Sequence, residues 1–178
     1  MSMSGTRILI AIFSRRGDNY VAGKVVNLPI GNTEVAAEFI KELTGAALFK
    51  IETVKDYPSD YYETTGVAKV EFQQDARPAL KGSPGDLGDF GVVFLGYPNW
   101  WDTMPMAVGT FLESHDFSGK TILPFCTHEG SGMGHSERDI RRLCPRAKVL
   151  KGLPIKGSTV QKAEKAIAAW LRESGVID

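Results

Sequence analysis

Three stretches of this chain set small, polar and aromatic residues directly after apolar runs. The first is Ser14-Arg15-Arg16-Gly17-Asp18-Asn19-Tyr20, followed by an excursion that ends at Gly31-Asn32-Thr33, where a helical pattern begins. A helix N-terminus offers free N–H groups and the positive end of the dipole, so it suits a phosphate. The Ser14 and Thr33 hydroxyls and the Asn32 amide would add neutral donors. The same residues would equally serve as a plain helix cap behind a serine turn. The second stretch is Gly96-Tyr97-Pro98-Asn99-Trp100-Trp101-Asp102-Thr103-Met104-Pro105. Neighbours on an extended chain point opposite ways, so Trp100 and Trp101 cannot both pack inward. One of them can form a wall for a planar ligand, unless the loop simply clasps the sheet edge. The third is Cys126-Thr127-His128-Glu129-Gly130-Ser131-Gly132-Met133-Gly134-His135-Ser136. Its glycines let backbone N–H groups approach a ligand edge, or make a flexible turn that Ser136 ends.

Taken together, the loops outline one ligand: a terminal phosphate at residues 31–33, a flat ring against Trp100 or Trp101, and an edge along residues 127–132. Flavin mononucleotide, FMN, has that shape. Tyr97 and His128 could supply protons near such a ring. Other chemistries fit less well. Gly17…Gly23-Lys24 misses the P-loop pattern, because five residues rather than four lie between the glycines and Val25 stands where Ser or Thr should hold magnesium. Cys126, His128, Glu129 and His135 match no zinc spacing, so no metal is expected. Ser131 lacks the surroundings of a hydrolase nucleophile, and His115 has no motif around it.

These loops need strands and helices to position them. Ile8–Phe13, Phe90–Leu95 and Thr121–Phe125 are short continuous apolar runs, the pattern of strands buried on both faces of a parallel sheet. Ala47–Ile51 and Ala147–Leu150 are weaker strand candidates. Between them lie helical patterns at Val35–Leu43, Ser59–Ala76, Met106–Leu112, after Ser136, and at Val160–Leu171. Ser136 with Asp139 reads as a near capping box. Strands and helices alternate, which implies a parallel sheet with helices on both faces, and ligands then bind beyond the carboxyl ends of the strands. The insertion 17–30 is expected to form an ordered hairpin-like flap that buries Tyr20-Val21 and Val25-Val26.

The chain has 178 residues, with 21 Lys+Arg against 21 Asp+Glu. Zero net charge argues against a nucleic-acid binder, and 43% hydrophobic content argues against disorder. Residues 119–178 carry a basic surplus that includes Arg138, Arg141, Arg142, Arg146 and Lys148. Two cysteines are too few for a disulfide scaffold. With no visible signal peptide or membrane span, a cytoplasmic protein is expected.

The chain resembles the flavodoxin-like FMN-binding family in Ser14 with the delayed Gly31-Asn32-Thr33, in the loop Tyr97–Pro105, and in Thr127–Gly132. The resemblance implies a single flavodoxin-like α/β domain over 1–178, a five-stranded parallel sheet of order 2-1-3-4-5 counted along the chain, and helices on both faces. It also implies FMN as cofactor, held by Ser14, Arg15, Gly31, Asn32, Thr33, Pro98, Asn99, Trp100, Trp101, Asp102, Thr127, His128, Glu129, Gly130, Ser131 and Gly132. Arg16, Asn19 and Tyr20 are further candidates, because the excursion 15–30 interrupts a phosphate loop that is one short run in the family. The implied function is that of a flavoprotein oxidoreductase passing electrons from a reductant such as NAD(P)H to a small acceptor such as a quinone. The alternative is a non-enzymatic electron-transfer carrier or flavin-binding interaction module. Carrier flavodoxins are markedly acidic and this chain is neutral, which favours the first. A small-molecule acceptor or a redox partner protein fits, a homodimer is compatible, and no nucleic acid or membrane is expected.

Overall fold

The computed structural model describes residues 5–178. In chain order its elements are β1 (Arg7–Ile12), β2 (Gly17–Val21), β3 (Lys24–Leu28), α1 (Asn32–Thr44), β4 (Ala47–Lys50), α2 (Tyr61–Gln73), β5 (Phe90–Pro98), α3 (Met106–Glu113), β6 (Thr121–His128), α4 (Ser136–Leu143), β7 (Lys148–Val149), β8 (Leu153–Lys156), a 3-10 turn over Gly157–Lys162, and α5 (Glu164–Glu173). The main sheet runs β4-β1-β5-β6-β7, and β8 also pairs with β6. Every pairing in it is parallel. Apart from β2 and β3, this is the 2-1-3-4-5 order. The expected last strand, 147–150, is shorter than anticipated and resumes as β8 past Gly152. The buried Gly152 N–H leaves the ladder and donates to Glu137 Oε1 at 2.5 Å, which breaks the edge strand in two.

Residues with alternate facing directions on the central strands enter two separate cores. Leu9, Ala11, Val93, Leu95 and Ile122 pack with Ala107, Val108 and Phe111 of α3 and Ile140 of α4. Ile10, Ile12, Val92, Phe94 and Leu123 pack with Ile40 of α1 and Ile167, Trp170 and Leu171 of α5. Burial on both faces is why these strands read as unbroken apolar runs rather than alternating ones. Helix α2 is anchored differently. Only Thr64 and Ala68 are buried, while Tyr62, Val67, Val70 and Phe72 are exposed. Asp60 caps the start of the helix, its carboxylate accepting from Glu63 N at 2.8 Å.

The insertion folds as a separate antiparallel hairpin, β2 with β3, from Gly17↔Leu28 to Val21↔Lys24. Ala22 and Gly23, both with positive φ, make the two-residue turn whose twist matches paired strands. The hairpin does not bury its apolar residues as expected: Tyr20, Val25 and Val26 all stay exposed. Ser136 also departs from expectation. It does not cap α4 through Asp139. Its buried hydroxyl donates to Met133 O at 2.6 Å, and Asp139 accepts instead from Thr103 Oγ1 at 2.7 Å. Among the described residues, no helix is long and apolar enough to cross a membrane.

Candidate functional site

The residues following β1, β5 and β6 converge on one cavity of about 610 Å³ at the carboxyl ends of those strands. This is the switch point, where chain connections leave β1 and β5 in opposite directions and open a crevice. The floor at one end is the start of α1. Ser14 Oγ accepts from Glu34 N at 3.1 Å, so this hydroxyl caps the helix from the β1 side. Among the described residues no acceptor takes the N–H of Asn32 or Thr33, and both residues line the cavity. Gly31 is buried so closely against Ser14 and Arg15 that a Cβ there would run into Ser14 Oγ and the Arg15 carbonyl. Beside this end the buried Thr33 and Thr127 hydroxyls are in mutual contact at 2.7 Å.

Asn99 locks the second loop to the third. Its N–H donates to Thr127 O at 2.8 Å, its Nδ2 donates to Gly132 O at 3.0 Å, and its Oδ1 accepts from Asp102 N at 3.1 Å. Trp100 and Thr103 then exchange backbone hydrogen bonds of 2.9 and 3.2 Å around Trp101 and Asp102. Those two central residues have φ of +52° and +66°, conformations that non-glycine side chains rarely adopt. The turn sends the indoles apart. Trp100 is half-buried, edge-on to Phe13 at 5.2 Å and to Tyr57 at 5.1 Å. Trp101 is 40% exposed; its Nε1 donates to Thr65 O at 3.2 Å, and Lys69 Nζ lies 5.3 Å from its ring centre. Both tryptophans line the cavity.

On the third loop, His128 Nδ1 accepts from Gly130 N at 2.9 Å, which leaves the proton of the neutral imidazole on Nε2. Burial lowers the His128 pKa, with Lys156 acting in the same direction and Glu129 against it. Tyr97 is not at the site. It is fully buried beneath it, donates to Ser136 Oγ at 2.8 Å, and burial raises its pKa far out of the range for proton transfer. Among the described residues no group of His, Cys, Asp and Glu could hold a metal ion.

Of the residues named from sequence, Arg15, Asn32, Thr33, Pro98, Asn99, Trp100, Trp101, Thr127, His128, Glu129, Gly130 and Ser131 line the cavity, together with Asn19 and Tyr20. Ser14, Gly31, Asp102 and Gly132 do not; they hold the lining in place through the contacts given above. The Arg15 guanidinium donates to Asp18 O, to Pro58 O at 2.7 Å, to Ser59 O at 2.8 Å and to Thr64 Oγ1 at 3.1 Å, so it ties the hairpin to α2. Sequence reasoning missed Tyr61, Thr64, Thr65 and Ala68 of α2, and Gly157, which complete the walls. The small, polar Thr64-Thr65 pair, one turn of α2 before its buried Ala68, was the available signal.

A doubly wound α/β fold with a cavity at its switch point, bounded by a helix N-terminus and two tryptophans, is the architecture of the flavodoxin-like class. A flavodoxin family model matches residues 20–174, and the chain belongs to that family. Among solved structures, a protein of Bacteroides eggerthii DSM 20697 assigned as a flavoprotein is 32% identical, with 97% of this chain and 99% of that one covered and a TM-score of 0.79. A second, from Bacteroides uniformis ATCC 8492, is 26% identical over 95% of this chain and 99% of that one, at a TM-score of 0.75. A flavoprotein of Lactobacillus acidophilus NCFM in complex with FMN shares the fold at 16% identity, covering 89% of this chain and 98% of that one, at a TM-score of 0.61. No curated protein matches the sequence.

Proposed function

We propose that this chain binds FMN and works as an oxidoreductase, taking electrons from a reductant such as NAD(P)H and delivering them to a small acceptor such as a quinone. The observation that carries this is a single cavity with unpartnered N–H groups of α1 at one end and two tryptophans at the other. The donor set fits the cofactor. The Asn32 and Thr33 N–H groups and the Thr33–Thr127 hydroxyl pair would hold the phosphate, all neutral donors at the positive end of a helix. Trp101 would form the wall beside the ring, Trp100 would anchor its loop against Phe13 and Tyr57, and the backbone of residues 128–131 would border the ring edge. When bound, FMN supplies the electron chemistry; the protein binds, orients and tunes it. His128 presents an N–H donor at Nε2 on the cavity wall. Asn99 fixes the two ring-bordering loops relative to each other.

A second reading is an electron carrier docked by a partner protein. It is supported by the distribution of exposed large apolar side chains: Tyr20, Val25, Val26, Ile30, Val54, Tyr62, Val67, Val70, Phe72 and Trp101 all belong to the hairpin, the α2 region or the Trp101 turn. Patches of this kind mark interaction sites. Steady-state oxidation of NAD(P)H by a quinone with the FMN-loaded protein alone tests the choice. Turnover supports the oxidoreductase. Turnover only after addition of a reductase protein supports the carrier.

A further inference from the structure

We propose that Glu129 clasps the β2–β3 hairpin over the α1 end of the cavity and so restricts the site to ligands that end at a terminal phosphate. The proposal rests on the FMN reading above and adds the residue that sets its specificity.

The hairpin pairs only with itself, so its position depends on contacts at its two ends and on Tyr20, whose ring stacks on that of Tyr61 in α2 at 6.1 Å. At the base, Arg15 holds the Asp18 carbonyl and reaches Pro58 O and Ser59 O ahead of α2. At the tip, the Ala22 N–H donates to Glu129 Oε2 at 3.3 Å. The other carboxylate oxygen, Oε1, accepts from Ser158 N at 2.6 Å. One side chain of the β6 loop therefore joins the hairpin tip to the 3-10 turn after β8. The hairpin crosses the cavity from the α2 side to the β6 side, with Asn19 and Tyr20 lining the space beneath it.

The same contacts close the way out beyond the α1 N-terminus. A Cβ on Gly157 would lie 2.5 Å from Asn32 Nδ2 and 2.8 Å from Glu129 Oε1. The 3-10 turn, the Glu129 carboxylate and the Asn32 amide are thus packed against one another, and a side chain at position 157 would have to push both polar groups aside. A phosphate held by the Asn32 and Thr33 N–H groups would have this wall behind it. A diphosphate carrying a second nucleoside, as in FAD, would have to displace the carboxylate. It would also set the charge of its second phosphate directly against that carboxylate in a partly buried setting, where like charges repel strongly. The Ala22 contact is long and exposed, so it is the half of the clasp that opens to admit the ligand.

The test is titration of apoprotein with FMN and with FAD, read by flavin fluorescence, for the wild type, Glu129→Ala and Glu129→Asp. Asp keeps the charge but is one methylene short of an N–H already 3.3 Å away. We expect the wild type to prefer FMN by at least about 100-fold, and both variants to prefer it by less than about 10-fold, mainly through tighter FAD binding. FMN should also dissociate faster from both. If the preference stays unchanged in both variants, the clasp is overturned. If Glu129→Ala relaxes it but Glu129→Asp does not, charge alone discriminates and the clasp is likewise overturned. A wild type that binds FMN while the variants keep its preference leaves the cofactor reading intact; a wild type that binds neither flavin removes both.

Discussion

The Thr33 and Thr127 hydroxyls, on α1 and at the end of β6, lie 2.7 Å apart with both residues buried at the cavity floor. One hydroxyl must donate to the other, so the pair retains one free O–H for a ligand. Thr33→Ala should therefore weaken FMN by removing a hydrogen bond to a charged group, worth about 1.5–3 kcal/mol, or roughly 10- to 150-fold in affinity. Riboflavin, which lacks the phosphate, should weaken far less. Comparing the two ligands by equilibrium titration checks this. Equal losses would make the pair a purely structural link between helix and strand.

His128 should make the third loop sensitive to acid. Its Nδ1 accepts the Gly130 N–H, and a protonated ring could not accept it. Burial depresses its folded-state pKa, helped by Lys156 and opposed by Glu129. A group with a depressed folded pKa favours folding fully above its unfolded value, about 6.5 for an imidazole, and loses that contribution as pH falls through the lower folded value. The stability difference between wild type and His128→Gln should be constant above pH ~7 and shrink progressively in mild acid. Parallel stability curves down to pH ~5 would contradict this.

The thiols should be inert in the native protein. Burial pushes the Cys144 thiol up to about 11 and raises that of the fully buried Cys126 as well. Thiolate is the reactive form. Alkylation by iodoacetamide at pH ~8 should be slow for the folded protein and become rapid only on unfolding. Fast labelling of either cysteine in the folded state would be inconsistent with the packing.

The sheet was legible because its central strands are buried on both faces and must therefore be continuous apolar runs. Ile8–Phe13 and Phe90–Leu95 admit little else. The cavity's three loops were legible for a related reason: residues that follow such strands fall on one edge of the sheet. Helix α2 was harder. It buries only Thr64 and Ala68, so it lacks the apolar stripe that marks a helix, and the cavity wall it supplies was missed with it. The roles of Ser136 and Tyr97 were illegible because they depend on a long-range contact, 39 residues apart in the chain, that no local pattern encodes. The same holds for Arg15. It lines the cavity as a cofactor-site candidate, but its guanidinium donates to the carbonyls of residues 58 and 59, partners that no local pattern encodes.

The Trp101 turn gives the sharpest test of the ring site. A bulky residue with φ near +52° is strained, by about 1–2 kcal/mol for an L residue in the left-handed region. Its indole recovers part of that through the hydrogen bond to Thr65 O, worth about 0.5–1.5 kcal/mol net, and through Lys69, about 0.5–1 kcal/mol at an exposed site. Glycine at this position would lose both contacts and the strain together. Trp101→Gly apoprotein should thus melt within a few degrees of wild type, since about 1 kcal/mol shifts a domain of this size by about 2–4 °C. Its FMN affinity should nevertheless fall by about 10-fold or more, because the aromatic wall is gone. Removing an electron-rich surface beside the ring should also raise the reduction potential of the bound flavin. Trp100→Ala should behave in the opposite sense. That indole packs edge-on against Phe13 and Tyr57, so its loss opens a cavity and should lower the melting temperature by about 6–12 °C even without ligand. Thermal melts of both apoproteins, beside FMN titrations and potentiometry, separate the two roles. If Trp101→Gly instead destabilised the apoprotein strongly and left FMN affinity and potential unchanged, Trp101 would be a clasp between the β5 loop and α2, and the strained turn would have no part in binding the ring.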